Sequence, residues 1–459
     1  MSTDIESAWT ALGGDPALVS RVTPVERPGA LPARLPVREL ARACVGACAL
    51  AAAELAARRA GLAEVPGVRV DDGAVAAAFH SERHLLVDGR APVVFAPLSR
   101  FWRTADGWVR THANYPHHRA RLLGALDLPA DAAAQTVAAR LAERSAREVE
   151  EAVHSAGGLA VALRTPAQWR AHEQAAEVAA RPLIERERPT AAPARVLAPL
   201  DPAAAPLLPA AGLRVLDLTR VLAGPVATRT LALLGADVLR LDAPWLPELP
   251  DLHADTGFGK RSATLDLGAD PGTFEELLAA ADVVVTGYRP GALDRFGLSP
   301  KALFARRPGL VVAQVSAWGA YGPWGARRGF DSLVQVATGI AATEGSAGQP
   351  GALPAQALDH GTGYLLAAAV LRALTEQSYD GGGRLVRLAL TRTAHWLTDG
   401  IRPAAATGAP YQGPEAWLAE TDGPLGRLRY ARPPVTFAGG PADYARPPVP
   451  WGSDSARRR

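Results

Sequence analysis

Short apolar runs alternate with helical patterns between residues 214 and 315, and this alternation constrains the fold more than any other feature of the chain. Five runs rich in valine and leucine predict strands: 214–218, 238–241, 262–267, 283–285 and 310–315. Helical patterns lie between several of them, at 227–234, 273–281 and 301–306. Alternation of this kind is typical of a parallel sheet covered by helices on both faces. We therefore predict an α/β fold for this part of the chain.

The N-terminal half carries a different pattern. Residues 38–60 predict an Ala- and Leu-rich helix, 67–70 a strand, and 73–79 a second helix. Residues 101–109 predict a hairpin with an Asp-Gly turn. The order helix, strand, helix at 38–79 resembles the order at 360–397, a faint internal repeat in which no Asp occupies the matching helix start.

Composition changes mark the segment boundaries. The stretch 197–211 is rich in Pro and Ala, which is typical of a linker. We predict a helical segment at 1–90, a smaller α+β domain at 91–196, the linker at 197–211, the parallel-sheet domain at 212–400, and a Pro- and Gly-rich surface wrap at 401–459.

Charge and cysteine content restrict the class of protein. The 49 basic and 46 acidic residues leave a net charge of only +3, so we expect no nucleic-acid partner. Cys44 and Cys48 lie one helical turn apart without a neighbouring His or Cys pair, so we expect no metal site. The chain start lacks a signal pattern, and the apolar run 43–53 is too short to span a bilayer. We predict a cytoplasmic protein without a membrane partner.

Cations lie near the ends of several predicted strands and in the loops between them. They are Arg240, Lys260, Arg261, Arg289, Arg295, Arg327 and Arg328. If these loops share one edge of the sheet, they form a cationic mouth suited to a phosphorylated ligand. The turn after the first strand lacks a G-x-G-x-x-G motif, but Arg220 and the helix start at Gly224-Pro225 suit an anion. A plain strand–helix turn remains the alternative.

Asp359 is the strongest candidate for covalent chemistry. It precedes a predicted apolar helix at 364–374 and is followed by Gly361-Thr362-Gly363. A helix N-terminus keeps a carboxylate ionised, glycines let a ligand approach the backbone, and an ionised carboxylate can attack an acyl group. The alternative is an N-cap residue with no further role.

These segments together resemble the class III CoA-transferases, also called the CaiB/BaiF family. The matching stretches are LRVLDLTRVLAGPVATRTLALLGADVLRLDAP, GKRSATLDL, DVVVTGYRPGALDRFGL, PGLVVAQVSAWGAYGPW, RRGFDSLVQVATGI and ALDHGTGYLLAAAVLRAL. They occur in the family order over about 180 residues. The resemblance implies a Rossmann-like CoA-binding catalytic domain at 212–400. It also implies that WRTADGWVRTHANYPHHR belongs to the family's small domain, which here precedes the core, so the N-terminal half is either rearranged or a truncated second copy.

The resemblance also assigns roles to individual residues. Asp359 matches the nucleophile, and Asp331 matches an acidic residue near the active site. Arg220, Val221 and Ala223 match positions that line the CoA site, Tyr288 flanks the adenine, and Arg295 and Arg328 meet phosphates. The CoA thioester is a substrate, and no tightly bound cofactor is implied.

Three positions depart from the family pattern: Leu222 replaces a usual Gln that helps to hold the acyl group, Gly287 replaces a usual Asn, and Phe330 replaces the His that racemases of the family carry. The resemblance implies a CoA-transferase that uses an acyl-CoA and a carboxylate acceptor, and it is compatible with a homodimer. The alternatives are a catalytically weak acyl-CoA-binding subunit and an acyl-CoA racemase. Phe330 disfavours the racemase, which needs an acid or base on each face of the α-carbon.

Overall fold

The computed structural model describes residues 3–346 and 348–457, so the predicted segments 1–90 and 401–459 each include two residues outside it. Within the described residues the protein is a mixed α/β protein with four sheets. The strands β1 to β15 are Val22–Val25, Val68–Asp71, Leu86–Val87, Phe101–Arg103, Trp108–Thr111, Ala160–Ala162, Glu185–Glu187, Arg214–Leu218, Asp237–Asp242, Arg261–Thr264, Val283–Thr286, Val311–Ser316, Arg384–Ala389, Leu418–Gly423 and Gly426–Ala431. The helices α1 to α17 are Thr3–Ala11, Val37–Ala60, Asp72–Phe79, Ser81–His84, Pro116–Ala125, Ala134–Ala142, Ala146–Ser155, Pro166–Arg170, Glu173–Ala179, Ala223–Leu233, Pro250–Thr256, Pro271–Ala280, Pro300–Arg306, Asp331–Ala337, Ile340–Thr343, Ala357–Asp380 and Leu390–His395.

The largest sheet contains seven strands in the order β10–β9–β8–β11–β12–β13–β7. All of its neighbouring pairs are parallel except the edge pair β13–β7. The predicted strands coincide with β8 to β12, with ends shifted by at most three residues, so the predicted parallel sheet is confirmed. The order of the strands reverses between β8 and β11, and loops at the carboxyl ends of strands leave a crevice at such a point.

Two 24-residue helices, α2 and α16, form the centre of the main core and pack along each other. Each is followed by a glycine with positive φ, Gly61 and Gly381, then by a strand and a short helix. The third residue of each helix is acidic, Glu39 in α2 and Asp359 in α16. The faint sequence repeat therefore corresponds to the same order of elements in the structure.

Helix α2 corrects the expectation that no apolar run is long enough to span a bilayer. By length and composition alone it is such a helix, the one found among the described residues. However, 94% of its most apolar window is buried inside the protein. Its apolar surface is thus already covered, mainly by α16 and α1.

The segment between residues 91 and 196 holds an antiparallel sheet, β4–β5–β6, which includes the predicted hairpin. Its inner face packs with α5, α6 and α7 around side chains such as Trp102, Val109 and Leu122. This smaller hydrophobic cluster is separate from the main core. The last strand of residues 91–196, β7, is not part of this antiparallel sheet and pairs with the edge of the large sheet instead.

The predicted linker at 197–211 is packed against the protein. The guanidinium of Arg59 donates hydrogen bonds to the backbone carbonyls of Ala198, Pro209 and Ala211, and Leu207 is buried. One continuous cluster of buried side chains includes residues from both sides of this stretch. The predicted linker thus connects two segments of the chain that share one hydrophobic core.

The C-terminal segment also differs from the predicted surface wrap. Strands β14 and β15 form a hairpin that pairs with the short strand β3. Leu428 and Tyr430 on β15 are buried against Phe258 in a further hydrophobic cluster. Residues 418–431 thus contribute to a small hydrophobic core. The sequence pattern did not predict it, because Pro and Gly flank the hairpin on both sides.

Candidate active site

A cavity of about 800 Å³ opens where the strand order of the large sheet reverses. Loops that follow the carboxyl ends of the parallel strands line it, with residues 220–224 after β8, 242–246 after β9, 287–296 after β11 and 316–317 after β12. Its volume lies within the range of roughly 300–1,000 Å³ that is usual for small-molecule and cofactor sites. The fold therefore brings these loops to one place, as parallel topology requires.

Seven of the predicted site residues line this cavity: Arg220, Val221, Ala223, Tyr288, Arg295, Arg328 and Asp359. Arg289 and Arg327, from the predicted cationic mouth, line it as well. Three predicted residues, Asp331, Arg240 and Lys260, do not line it.

Arg240 is a buried structural cation, so the expectation that it faces a ligand is wrong. Its side chain is 1% exposed, Nε lies 2.8 Å from Asp242 Oδ2, and Nη2 lies 2.9 Å from Glu248 Oε2. Burial lowers the pKa of this guanidinium, but the two carboxylates outweigh burial and raise the pKa above its ordinary value. Sequence reasoning placed Arg240 near a strand end, whereas β9 continues to Asp242.

Lys260 also serves the fold, which corrects its assignment to the cationic mouth. Its Nζ donates to Asp217 Oδ2 at 3.0 Å, to the Pro225 carbonyl at 2.9 Å and to Thr228 Oγ1 at 2.6 Å. Burial lowers the pKa of the amine to about 8. The ammonium ties the end of β8 to the first turns of α10, and this turn positions the cavity loop 220–224.

Asp359 lies inside the first turn of α16, because this helix begins seven residues before the predicted start at 364. Gln356 occupies the N-cap position, so the alternative that Asp359 is merely an N-cap is wrong. The residue is 7% exposed and lines the cavity. Its carboxyl group is thus largely buried within the protein and open only towards the cavity.

The glycines after Asp359 serve helix packing. A Cβ atom at Gly363 would lie 2.6 Å from the Ala223 carbonyl oxygen, and a Cβ at Gly361 would lie 3.3 Å from Cys44 Sγ. The absence of side chains therefore lets α16 approach α10 and α2 closely. The expectation that these glycines make room for a ligand is corrected by this packing.

Asp331 caps the helix that carries Asp359. Its Oδ2 accepts hydrogen bonds from the backbone N–H groups of Leu358 at 2.9 Å and Asp359 at 3.0 Å. Its Oδ1 accepts from Gln335 Nε2. The first turn of a helix has free N–H groups that need such acceptors. Asp331 is 1% exposed and outside the cavity lining, so it reaches the site only through the backbone of Asp359.

Burial and neighbouring carboxylates perturb both acids. Burial first, then Asp331 and then Glu82 raise the pKa of Asp359 well above its ordinary value. Burial raises the pKa of Asp331 to about 6, against the hydrogen bonds that lower it. Two close carboxyl groups resist ionising together. The sequence predicts that the helix N-terminus favours the ionised form of Asp359, but burial, Asp331 and Glu82 act in the opposite direction and raise its pKa.

His360 faces away from the chemistry and joins α16 to the N-terminal segment. Its Nε2 lies 3.1 Å from Glu82 Oε2, its ring stacks on Phe79, and it is fully buried. Burial raises the pKa of Glu82, but the bond from His360 outweighs it and lowers the pKa. Glu82 is thus a buried negative charge from residues 1–90 that acts on Asp359.

The cationic side chains of the cavity fall into two groups. Arg121, Arg289, Arg295 and Arg328 line it, and none has a carboxylate within 4.0 Å among the described residues. Arg220 and Arg327, by contrast, pair with Glu248 and Glu151. Burial, then Arg121 and Arg289, lower the pKa of Arg328, which shows how close these uncompensated charges lie. Such a cluster binds an anionic ligand well.

The smaller domain supplies one wall that sequence reasoning missed. Tyr115, His117, His118 and Arg121, at the start of α5, all line the cavity. Burial first, then His117 and His112, and then Arg328 and Arg121 lower the pKa of His118 to about 2. The only signal for this wall is the resemblance of the HANYPHHR segment to the family's small domain, because no local pattern predicts which face of a distant sheet a helix will meet.

The three departures from the family pattern have distinct surroundings. Leu222 is 4% exposed and absent from the cavity lining, so it packs within the protein. Gly287 lines the cavity, and a Cβ there would lie 3.3 Å from Thr219 Cβ. Phe330 also lines it, and the ring of His112 stacks on Phe330 with a centroid distance of 3.9 Å.

Comparison with known proteins finds similarity over the part of the chain that contributes most of the cavity lining. The model of CoA-transferase family III matches residues 210–416. A probable fatty acyl-CoA transferase of Mycobacterium tuberculosis is 36% identical over 208 residues, which is 41% of this chain and 52% of that protein. A formyl-CoA:oxalate CoA-transferase of Streptomyces coelicolor is 36% identical over 193 residues, which is 39% of this chain and 47% of that protein.

A crystal structure of Rv3272 from M. tuberculosis shares 35% identity over 43% of this chain and 56% of that one, with a TM-score of 0.40. The chain spans about half or less of the length of the curated relatives it matches.

Proposed function

We propose that this protein transfers CoA from an acyl thioester to a second carboxylic acid, because residues 210–416 match the model of CoA-transferase family III. One observation carries the proposal. A carboxyl group, that of Asp359, borders the same cavity as four guanidiniums that lack a carboxylate partner among the described residues. A cationic rim suits the phosphates of CoA, and the carboxyl group suits attack on its thioester.

The proposed reaction proceeds through covalent intermediates on Asp359. The ionised carboxylate attacks the thioester carbonyl, the C–S bond breaks, and CoA thiolate leaves as a mixed anhydride forms. The thiolate then attacks the aspartyl carbonyl of that anhydride, which releases the first acid and leaves an aspartyl-CoA thioester. The acceptor carboxylate attacks the aspartyl carbonyl of this thioester, the C–S bond breaks, and CoA thiolate leaves as a second mixed anhydride forms. The thiolate then attacks the acceptor's carbonyl in that anhydride, which gives the new acyl-CoA and frees the carboxylate of Asp359. No oxidant, reductant or metal is needed for these steps.

The state of the acid pair sets a condition on the first step. Asp359 must lose its proton before it attacks, yet burial, Asp331 and Glu82 hold its pKa above the ordinary value. The same shift makes the carboxylate a stronger nucleophile once ionised, because basicity and nucleophilicity rise together in such groups. We therefore propose that activity falls on the acidic side through protonation of the Asp331–Asp359 pair.

Three further features accompany the proposed reaction. The strand order of the large sheet, with its reversal between β8 and β11, supports the Rossmann-like description. The two free, buried cysteines suit a reducing, cytoplasmic location. The CoA thioester is proposed as substrate, with a carboxylic acid as acceptor. A homodimer stays a prediction.

A catalytically weak acyl-CoA-binding subunit is the second candidate. The raised pKa of Asp359 favours it, because a higher pKa lowers the fraction of the ionised, nucleophilic form at a given pH. A racemase is disfavoured by Phe330, whose ring supplies neither acid nor base at the cavity wall.

Chemical trapping separates the two candidates. The protein is incubated with an acyl-CoA and hydroxylamine, and peptides are examined by mass spectrometry for a hydroxamate at Asp359. A transferase yields the modified peptide, and Asp359→Asn abolishes it. Asp331→Asn is the matched control, because Asp331 lies outside the cavity and should not become labelled itself. Binding of acyl-CoA without any labelled Asp359 would leave the binding subunit as the function.

A further inference from the structure

We propose that Glu248, in the loop between β9 and α11, is the positioning residue that holds the CoA-binding loop in shape; this inference rests on the proposed function. Neither the family resemblance nor any sequence pattern marks this residue. Its side chain is fully buried, and its carboxylate sits behind the cavity wall rather than in the lining. It therefore acts through other groups.

Five donors from four parts of the chain converge on this one carboxylate. Oε1 accepts from the Tyr115 hydroxyl, from Arg220 Nη2 at 3.4 Å and from the Leu249 N–H at 2.9 Å. Oε2 accepts from the Val221 N–H at 3.1 Å and from Arg240 Nη2 at 2.9 Å. Tyr115, Arg220 and Val221 all line the cavity, so Glu248 joins the smaller domain to the loop after β8.

The backbone of Val221 shows that this loop needs an anchor. Its φ is +69°, a left-handed conformation that β-branched residues rarely adopt. Such a conformation persists when surrounding contacts determine it. The hydrogen bond from the Val221 N–H to Glu248 is the contact that fixes this peptide, and it sits directly before the helix start at Ala223 that borders the cavity.

Arg220 is held by the same loop. Its guanidinium donates to the carbonyls of Leu246 and Pro247 as well as to Glu248, and it lies 5.1 Å from the centre of the Tyr115 ring. Much of its hydrogen-bonding capacity is thus used within the protein, unlike that of Arg289, Arg295 and Arg328. Arg220 shapes the wall, while the other three remain available for an anion.

The charge of Glu248 makes these contacts strong. Although burial raises the pKa of this carboxyl group, Arg240, Arg220 and the hydrogen bonds lower it to about 2. The group is therefore ionised at neutral pH and gives charge-assisted bonds, which are stronger than neutral ones. Loss of the charge leaves two buried guanidiniums with one fewer partner.

The test compares Glu248→Gln with wild type in the full chain, with CoA itself as the probe. We expect the Kd for CoA, measured by calorimetry, to rise on the order of tenfold, which is the effect of losing one hydrogen bond to a charged group in the support of the binding loop. The KM for acyl-CoA should rise in parallel, while kcat at saturation changes less. Glu248→Asp, which keeps the charge, should recover part of the affinity.

Asp255→Asn is the matched control. Asp255 is a buried carboxylate on the neighbouring helix α11, pairs with Arg229 at 3.0 Å, and lies outside the cavity lining. Its substitution should lower stability while leaving the Kd for CoA unchanged. If Glu248→Gln retains wild-type affinity, or if both variants weaken CoA binding in proportion to their loss of stability, the positioning role is refuted.

A second variant covers the case in which Glu248→Gln fails to fold. Tyr115→Phe removes one donor to Glu248 and keeps the ring, and it should raise the Kd by a smaller factor. An unchanged Kd in this variant would refute the link between the smaller domain and the loop. Absence of CoA binding by the wild type would instead refute the proposed function, so the two failures are distinguishable.

Discussion

Substitution of Asp331 by Asn should change how the stability of this protein depends on pH. Burial raises the pKa of Asp331 from 3.8 to about 6 in the folded protein. Because the folded pKa exceeds the unfolded one, the stability from this group is complete below the unfolded pKa and is lost as pH rises through the folded pKa. The folded and unfolded pKa values differ by about two, and a difference of one corresponds to about 1.4 kcal/mol. The protein therefore loses roughly 3 kcal/mol of unfolding free energy between about pH 4 and pH 7. The Asn variant lacks this loss.

Urea unfolding of both proteins across this pH range measures the effect. The carboxamide introduced by Asp331→Asn would still accept from Leu358 and Asp359, but its amide group would oppose the amide of Gln335, a fixed cost of about 1–3 kcal/mol that does not vary with pH. As the pH rises from about 4 to 7, the variant should nevertheless gain roughly 3 kcal/mol of unfolding free energy relative to wild type.

Asp237→Asn, at an exposed carboxylate that pairs with Arg261, controls for net charge. If the unfolding free energies of wild type and Asp331→Asn changed with pH in parallel, the raised pKa of the buried Asp331 would be refuted. In the same variant, the acidic limb of the pH–rate profile should move to lower pH, because Asp331 no longer raises the pKa of Asp359.

Three further substitutions test the roles assigned above. Lys260→Met should lower the free energy of unfolding by about 3–5 kcal/mol in urea titrations, because Asp217 is left as a buried charge without its cation. Arg328→Gln should raise the KM for acyl-CoA, with a larger effect at low salt and little change in the KM for the acceptor acid, because an uncompensated cation attracts phosphate. Leu222→Gln should lower the melting temperature, because burial of an unpaired amide costs about 1–3 kcal/mol of unfolding free energy. Its kcat should not rise, since residue 222 packs away from the cavity; a gain in kcat would contradict this placement.

The large sheet could be predicted from local sequence patterns. The strands at 214–218 and 283–285 are runs of buried β-branched and leucine residues, and a parallel strand covered on both faces produces such a run wherever it occurs. The chain order of these strands then places their following loops on one edge. For this reason seven of the ten predicted site residues line the cavity.

The errors arose where a residue's environment depends on distant parts of the chain. Lys260 meets Asp217, which lies 43 residues away, and no spacing rule anticipates this pair. The sequence pattern predicts that the helix begins after Gly361 and Gly363, at residue 364, but the helix runs through both glycines, which pack closely against Cys44 and Ala223. Burial and Asp331 raise the pKa of Asp359, and Glu82, which the sequence places in another segment, raises it further.

The pairing of α2 with α16 has a practical consequence for anyone who expresses this protein in pieces. The region that matches the family begins at residue 210, and a boundary there would remove α2 and strip one side from a helix that is apolar around nearly its whole circumference. Glu82 and the packing around Phe79 and His360 would be lost with it. We therefore expect a fragment cut at that boundary to aggregate, even though it keeps Asp331 and Asp359.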